Sequence, residues 1–132
     1  MFLNQIESEE LKKSFLELTH YVAAVDGQIS AKEQEFLDQY LFEMELEQFT
    51  PSNIPLADIV KGIDDPIIQN IFFVEILALI FVDGQYNEEE KQVVREIRET
   101  FGYSEEKYEA FKSWVLRMNS LQKEGFQLVY AG

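Results

Sequence analysis

Apolar residues recur along this chain at helical spacing. Leu11, Phe15, Leu18, Val22 and Val25 step by three or four positions and predict an amphipathic helix over about residues 8–25. Asp26-Gly27 stops it, because glycine suits the left-handed position past a helix end. A second helix is predicted over about 31–47, with Phe36, Leu37, Tyr40, Leu41 and Met44 facing inward. Thr50-Pro51-Ser52-Asn53-Ile54-Pro55 is a breaker cluster and reads as a loop, after which Pro55 opens a short helix near 56–62. Asp64-Asp65-Pro66 opens a further helix that is apolar on almost every side from Ile67 to Val82, the pattern of a central helix buried in a bundle. Asp83-Gly84 ends it. Val93, Val94, Ile97 and Phe101 then mark a helix over about 88–101, closed by Gly102. Ser104 caps another near 105–118, carrying Tyr108, Phe111, Trp114, Val115 and Met118. In the tail from Asn119 to Gly132, Phe126, Leu128 and Tyr130 alternate, but a lone strand beside helices has no partner, so docked coil or a short helix is expected. The chain reads as all-α, one helical bundle over residues 1–132.

Displacing the chain by 57 residues exposes an internal repeat. Val25-Asp26-Gly27-Gln28-Ile29-Ser30-Ala31-Lys32-Glu33 falls on Val82-Asp83-Gly84-Gln85-Tyr86-Asn87-Glu88-Glu89-Glu90, with a predicted helix before and after each copy. The bundle is therefore expected to be built from two related helix–DG turn–helix units. Ser30 and Asn87 suit the N-cap, and Glu33 and Glu90 stand three residues later, as a capping box requires. Gly27 and Gly84 would supply the positive φ of the turn. Two features strain a reading as punctuation alone. Asp26 and Asp83 sit at the carboxyl ends of their helices, where the dipole disfavours an anion. Glu33 and Glu90 continue the inward stripes of theirs, where a carboxylate is costly unless paired or bound to metal. Two readings stand side by side: the four carboxylates cap helices, or they converge on a divalent cation such as Ca²⁺, Mg²⁺ or Mn²⁺.

Composition narrows the field. Hydrophobic residues make up 46% of the 132 positions, with eleven Phe and six Tyr, which excludes intrinsic disorder. With no Cys there is no disulfide, thiolate metal site or cysteine nucleophile, and one histidine cannot build a multi-histidine metal centre. Eleven Lys and Arg against 25 Asp and Glu give a formal net charge of -14, a surface that repels nucleic acid and anionic membranes. The greasiest stretch, Ile71 to Val82, is interrupted by Glu75 and falls short of the roughly 20 residues of a spanning helix, so no membrane insertion is expected. Met1 to Gln5 lacks a positive region, so no secretory leader is expected and a cytoplasmic location is. Phe72, Phe73, Phe81 and Trp114 are read as core aromatics, and His20 as a packed or hydrogen-bonded histidine. Lys91, Arg95 and Arg98 share a helix face whose neighbours Glu88, Glu96 and Glu99 make pairing the expected state. No glycine-rich phosphate loop, nucleophile elbow or H-E-x-x-H motif occurs, so no enzyme is expected.

The half-motif D-G-x-Ile-x-x-x-Glu matches part of an EF-hand loop, yet Val22 and Ala24 in one copy, and Leu79 and Phe81 in the other, occupy ligand positions and cannot coordinate. An EF-hand is rejected. Ala23-Ala24-Val25-Asp26-Gly27-Gln28-Ile29-Ser30 through Glu33, Phe81-Val82-Asp83-Gly84 through Glu90, and Arg98-Glu99-Thr100-Phe101-Gly102-Tyr103-Ser104 resemble the TerB-like family, which includes tellurite-resistance proteins and the N-terminal domain of DjlA-type co-chaperones. The likeness spans about residues 10–118. It departs at Val25 and Val82, where the family usually places a small residue before its aspartate. The resemblance implies an all-α fold of two units and a bacterial setting of chemical stress or membrane-linked complexes. It also implies a divalent-cation site at Asp26, Glu33, Asp83 and Glu90, supported by Gly27, Gln28, Ser30, Gly84, Gln85 and Asn87. On this reading the protein is a non-enzymatic module serving a protein partner, in the cytoplasm or at the inner face of the membrane through that partner. The alternative is a co-chaperone-like interaction domain without metal. Neither the partner nor the oligomeric state is read from the sequence.

Overall fold

Polar caps open five of the six α-helices in the computed structural model, which describes residues 2–25, 27, 29–81 and 86–131. After a 3-10 turn at Leu3–Gln5 come α1 (Glu9–Ala24), α2 (Ala31–Glu43), α3 (Leu56–Val60), α4 (Pro66–Ile80), α5 (Glu88–Phe101) and α6 (Glu105–Tyr130). No strand occurs among the described residues. Ser8, Ser30, Asp65, Asn87 and Ser104 each accept a first-turn backbone N–H that would otherwise lack a partner. Pro66 follows Asp65 at the first helical position, where its missing N–H costs nothing.

Helix α4 forms the centre. Every residue from Ile71 to Ile80 is buried, and the helix packs against α1, α5 and α6, while α1 also contacts α2 and α3. An all-round apolar sequence has no solvent face to turn outward, so surrounding it with amphipathic helices is the way to remove its surface from water. The core joins Phe15, Leu18 and Val22 of α1 to Leu37 and Tyr40 of α2, with Val93, Val94 and Ile97 of α5 and Tyr108 and Val115 of α6. Phe15 meets both Tyr40 and Phe72 edge to face at 5.1 Å.

Two boundaries differ from those the sequence predicts. Helix α2 stops at Glu43 instead of running to about 47. Glu45 takes a positive φ of 59°, the Glu45 N–H donates to Phe42 O, and the Leu46 N–H donates to Leu41 O at 2.8 Å. That pair of bonds is a Schellman ending made with a glutamate instead of the usual glycine. The second difference is larger. The tail expected as coil or a short helix continues α6 to Tyr130, a single helix of 26 residues. Nothing in the stretch after Met118 breaks a helix except Gly125, and the alternation of Phe126, Leu128 and Tyr130 is overridden by uninterrupted backbone bonding. Leu121, Phe126, Leu128, Val129 and Tyr130 are exposed on it.

Candidate functional site

In the sequence the two acidic motifs fall between α1 and α2 and between α4 and α5. Helix α4 begins 57 residues after α1, and α5 begins 57 after α2, so both predicted motifs sit between helix pairs. Ser30 and Asn87 are the N-caps of α2 and α5. The Glu33 N–H donates to Ser30 Oγ at 3.1 Å, and Glu33 Oε1 accepts from the Ser30 N–H at 2.9 Å. In α5 the Glu90 N–H donates to Asn87 Oδ1 at 2.8 Å, and Glu90 Oε1 accepts from the Asn87 N–H at 3.1 Å. Both capping boxes are complete, and both carboxylates are buried. Gly27 takes a φ of 93°, as its turn position demands.

Asp26, Gln28, Asp83, Gly84 and Gln85 lie outside the described residues, so Glu33, Glu90, Gly27, Ser30 and Asn87 are the predicted site residues whose surroundings are seen. Among the described residues no group of three or more His, Asp or Glu side chains is arranged to hold a metal ion. The end of α1 and the start of α5 come together: Tyr21 and Val25 share a depression of about 350 Å³ with Glu88, Glu89, Gln92, Val93 and Glu96.

Three further glutamates do work that composition conceals. Glu75, the interruption in the apolar stretch, is buried, and its Oε1 accepts the Phe2 N–H at 3.0 Å. Glu43 Oε2 accepts the Leu3 N–H at 2.8 Å, so two carboxylates hold the N-terminal segment to the bundle. Buried Glu17 accepts the Ser52 N–H at 2.7 Å and fastens the loop before α3. A glutamate inside an apolar run was the sequence signal for Glu75; Glu17 and Glu43 carry no such mark.

The pinned Phe2 forms one wall of an apolar cleft of about 540 Å³ between α4 and α6, lined chiefly by Ile67, Ile71, Val74, Phe111 and Trp114. Trp114, read as a core aromatic, is instead 37% exposed at its edge, 6.0 Å from the Phe2 ring. Phe72 and Phe73 are fully buried and Phe81 partly so. His20 meets its expectation: Nδ1 lies 2.9 Å from Leu16 O and the ring packs on Phe49. The basic face of α5 is engaged too. Lys91 pairs with Glu88, Arg95 bonds Gln92, and Arg98 pairs with Glu105 at 2.8 Å while stacking on Tyr108.

This arrangement of helices matches a tellurite resistance protein from Nostoc punctiforme, whose crystal structure superposes with a TM-score of 0.73 over 96% of this chain and 84% of that one. The fold is TerB-like. Sequence identity across the match is 16%, so the TerB-like likeness is one of architecture. No family model matches the chain, and no curated protein matches it in sequence. No helix among the described residues is long and apolar enough to cross a membrane.

Proposed function

We propose that this chain is a non-enzymatic TerB-type module that acts by binding protein, in a setting of chemical stress akin to tellurite resistance. Its fold likeness to a tellurite resistance protein supports the setting. The observation that carries the interaction reading is the apolar surface left on α6: Leu121, Phe126, Leu128, Val129 and Tyr130 are exposed beyond a cleft walled by Phe2, Ile67 and Trp114. Exposed apolar side chains gathered on one element mark association surfaces. The acidic turns then serve as helix caps, which accords with the two closed capping boxes. A location in the cytoplasm, or at the inner membrane face through a partner, fits this reading. Affinity capture from the source organism tests it: wild-type protein should retain a partner that Leu121→Asp/Leu128→Asp loses, and equal recovery by both would refute it.

A divalent cation at the turns is the second reading. It draws on the burial of Glu33 and Glu90, each seven residues after the aspartate of an Asp-Gly pair in the sequence, and on the nearness of the α1 end to the α5 start. Hard oxygen donors of this kind suit Ca²⁺, Mg²⁺ or Mn²⁺. Calorimetric titration with each ion should then give a saturable isotherm that Asp26→Asn/Asp83→Asn abolishes; silence in the wild type would refute it.

A further inference from the structure

The face of α6 that lines the cleft continues along the helix past the bundle. Ala110 and Trp114 border the cleft. At 3.6 residues per turn, Leu121, Gly125 and Leu128 fall on the same side of the helix as those two. Leu121 and Leu128 are exposed, and the neighbouring Phe126, Val129 and Tyr130 are 64–77% exposed. Gly125 is a poor helix former in a helix interior, yet a Cβ added there would meet nothing within 4 Å in its own chain. Its small size is not required by this copy's own packing.

We propose that the occupant of this face is a second copy of the chain, with the two α6 helices packed antiparallel across a twofold axis between Arg117 and Met118. In this register Leu121 faces Trp114 of the second copy, Gly125 faces Ala110, and Leu128 reaches the Lys107 end of the cleft. The two small residues let the helices approach, and each tail covers the other copy's cleft. The proposal rests on the reading of α6 as an interaction surface and names the partner.

Charge favours self-association over another occupant. The chain carries -14, but residues 113–130 hold a single acid, Glu124, against Arg117 and Lys123. This is the part of the molecule that two equally acidic copies can bring together, and depletion of charge with retention of aromatics, Met and Arg is the composition of an interface centre. An anionic membrane, by contrast, would meet the remaining negative surface.

Sedimentation equilibrium and engineered crosslinking test this. Wild-type protein should sediment at twice its 15.5 kDa mass, and Leu121→Asp/Leu128→Asp should sediment as a monomer with its thermal transition intact. The chain has no cysteine, so Ala110→Cys/Gly125→Cys offers a clean background. Those positions are roughly 22 Å apart along one helix and cannot bridge within a chain; oxidation should give a covalent dimer. A monomeric wild type, a dimer that survives the double aspartate variant, or absence of the crosslink overturns the proposal. Should the wild type be monomeric while partner capture still depends on Leu121 and Leu128, the second copy is refuted and the interaction surface stands; should capture fail as well, both fall.

Discussion

Glutamate is the residue to which this chain assigns its least ordinary task. Glu17, Glu33, Glu43, Glu75 and Glu90 each accept a backbone N–H, three of them from segments 35 or more residues away. A carboxylate accepts such bonds strongly, and an N–H left without a partner at a part-buried site costs about 1–3 kcal/mol. Glu17→Ala is therefore expected to lower stability by about that amount, while Glu17→Gln, which keeps an acceptor oxygen, should lose less; urea denaturation of the three proteins compares them. Phenols give a second residue-level expectation. Burial, then the nearby Glu75 and Glu43, raise the Tyr40 pKa well above its ordinary value, and burial raises Tyr86 and Tyr103 as well. The folded state thus holds these protons more tightly than the unfolded one. That stabilisation is complete below pH about 10 and drains away as pH rises beyond it. The melting temperature should fall above that pH, and less steeply in Tyr40→Phe.

At the scale of the element, caps and ends decide what can be read in advance. Ser30 with Glu33 and Asn87 with Glu90 are local patterns, and both closed as capping boxes because their partners lie within one turn. Ser30→Ala and Asn87→Ala should each cost about 1 kcal/mol, seen as a lower denaturation midpoint. The all-α class and the start of every predicted helix followed from equally local signals. The early stop of α2 did not, since Glu45 carries no composition cue for a positive φ and its conformation is set by the Leu46-to-Leu41 bond. Nor did the length of α6. Its last turns have few contacts with the bundle, and a periodicity argument that looks for an inward stripe has none to find there. The roles of Glu17 and Glu43 were equally hidden, because their partners are brought near only by the packing of distant segments. Removal of residues 120–132 should leave the melting temperature of the bundle nearly unchanged while circular dichroism loses helical signal; a collapse of the transition would show that the tail is integral to the core.

For the whole molecule, the excess of acid is a standing load on the folded state. With a net charge of -14, compaction brings like charges together, and screening should relieve that repulsion. The melting temperature is expected to climb with sodium chloride between roughly 0.01 and 0.5 M, over which the Debye length contracts severalfold. Any added rise with calcium at matched ionic strength then separates a specific site from a general atmosphere of counterions. The cleft offers a separate handle on the same molecule. Trp114 is the single tryptophan, and it stands half outside the core at the cleft edge rather than among the buried phenylalanines. Intrinsic fluorescence excited at the indole band therefore reports one place, the mouth between α4 and α6. A blue shift on raising protein concentration would signal that mouth closing over, with no dye or label attached to the chain.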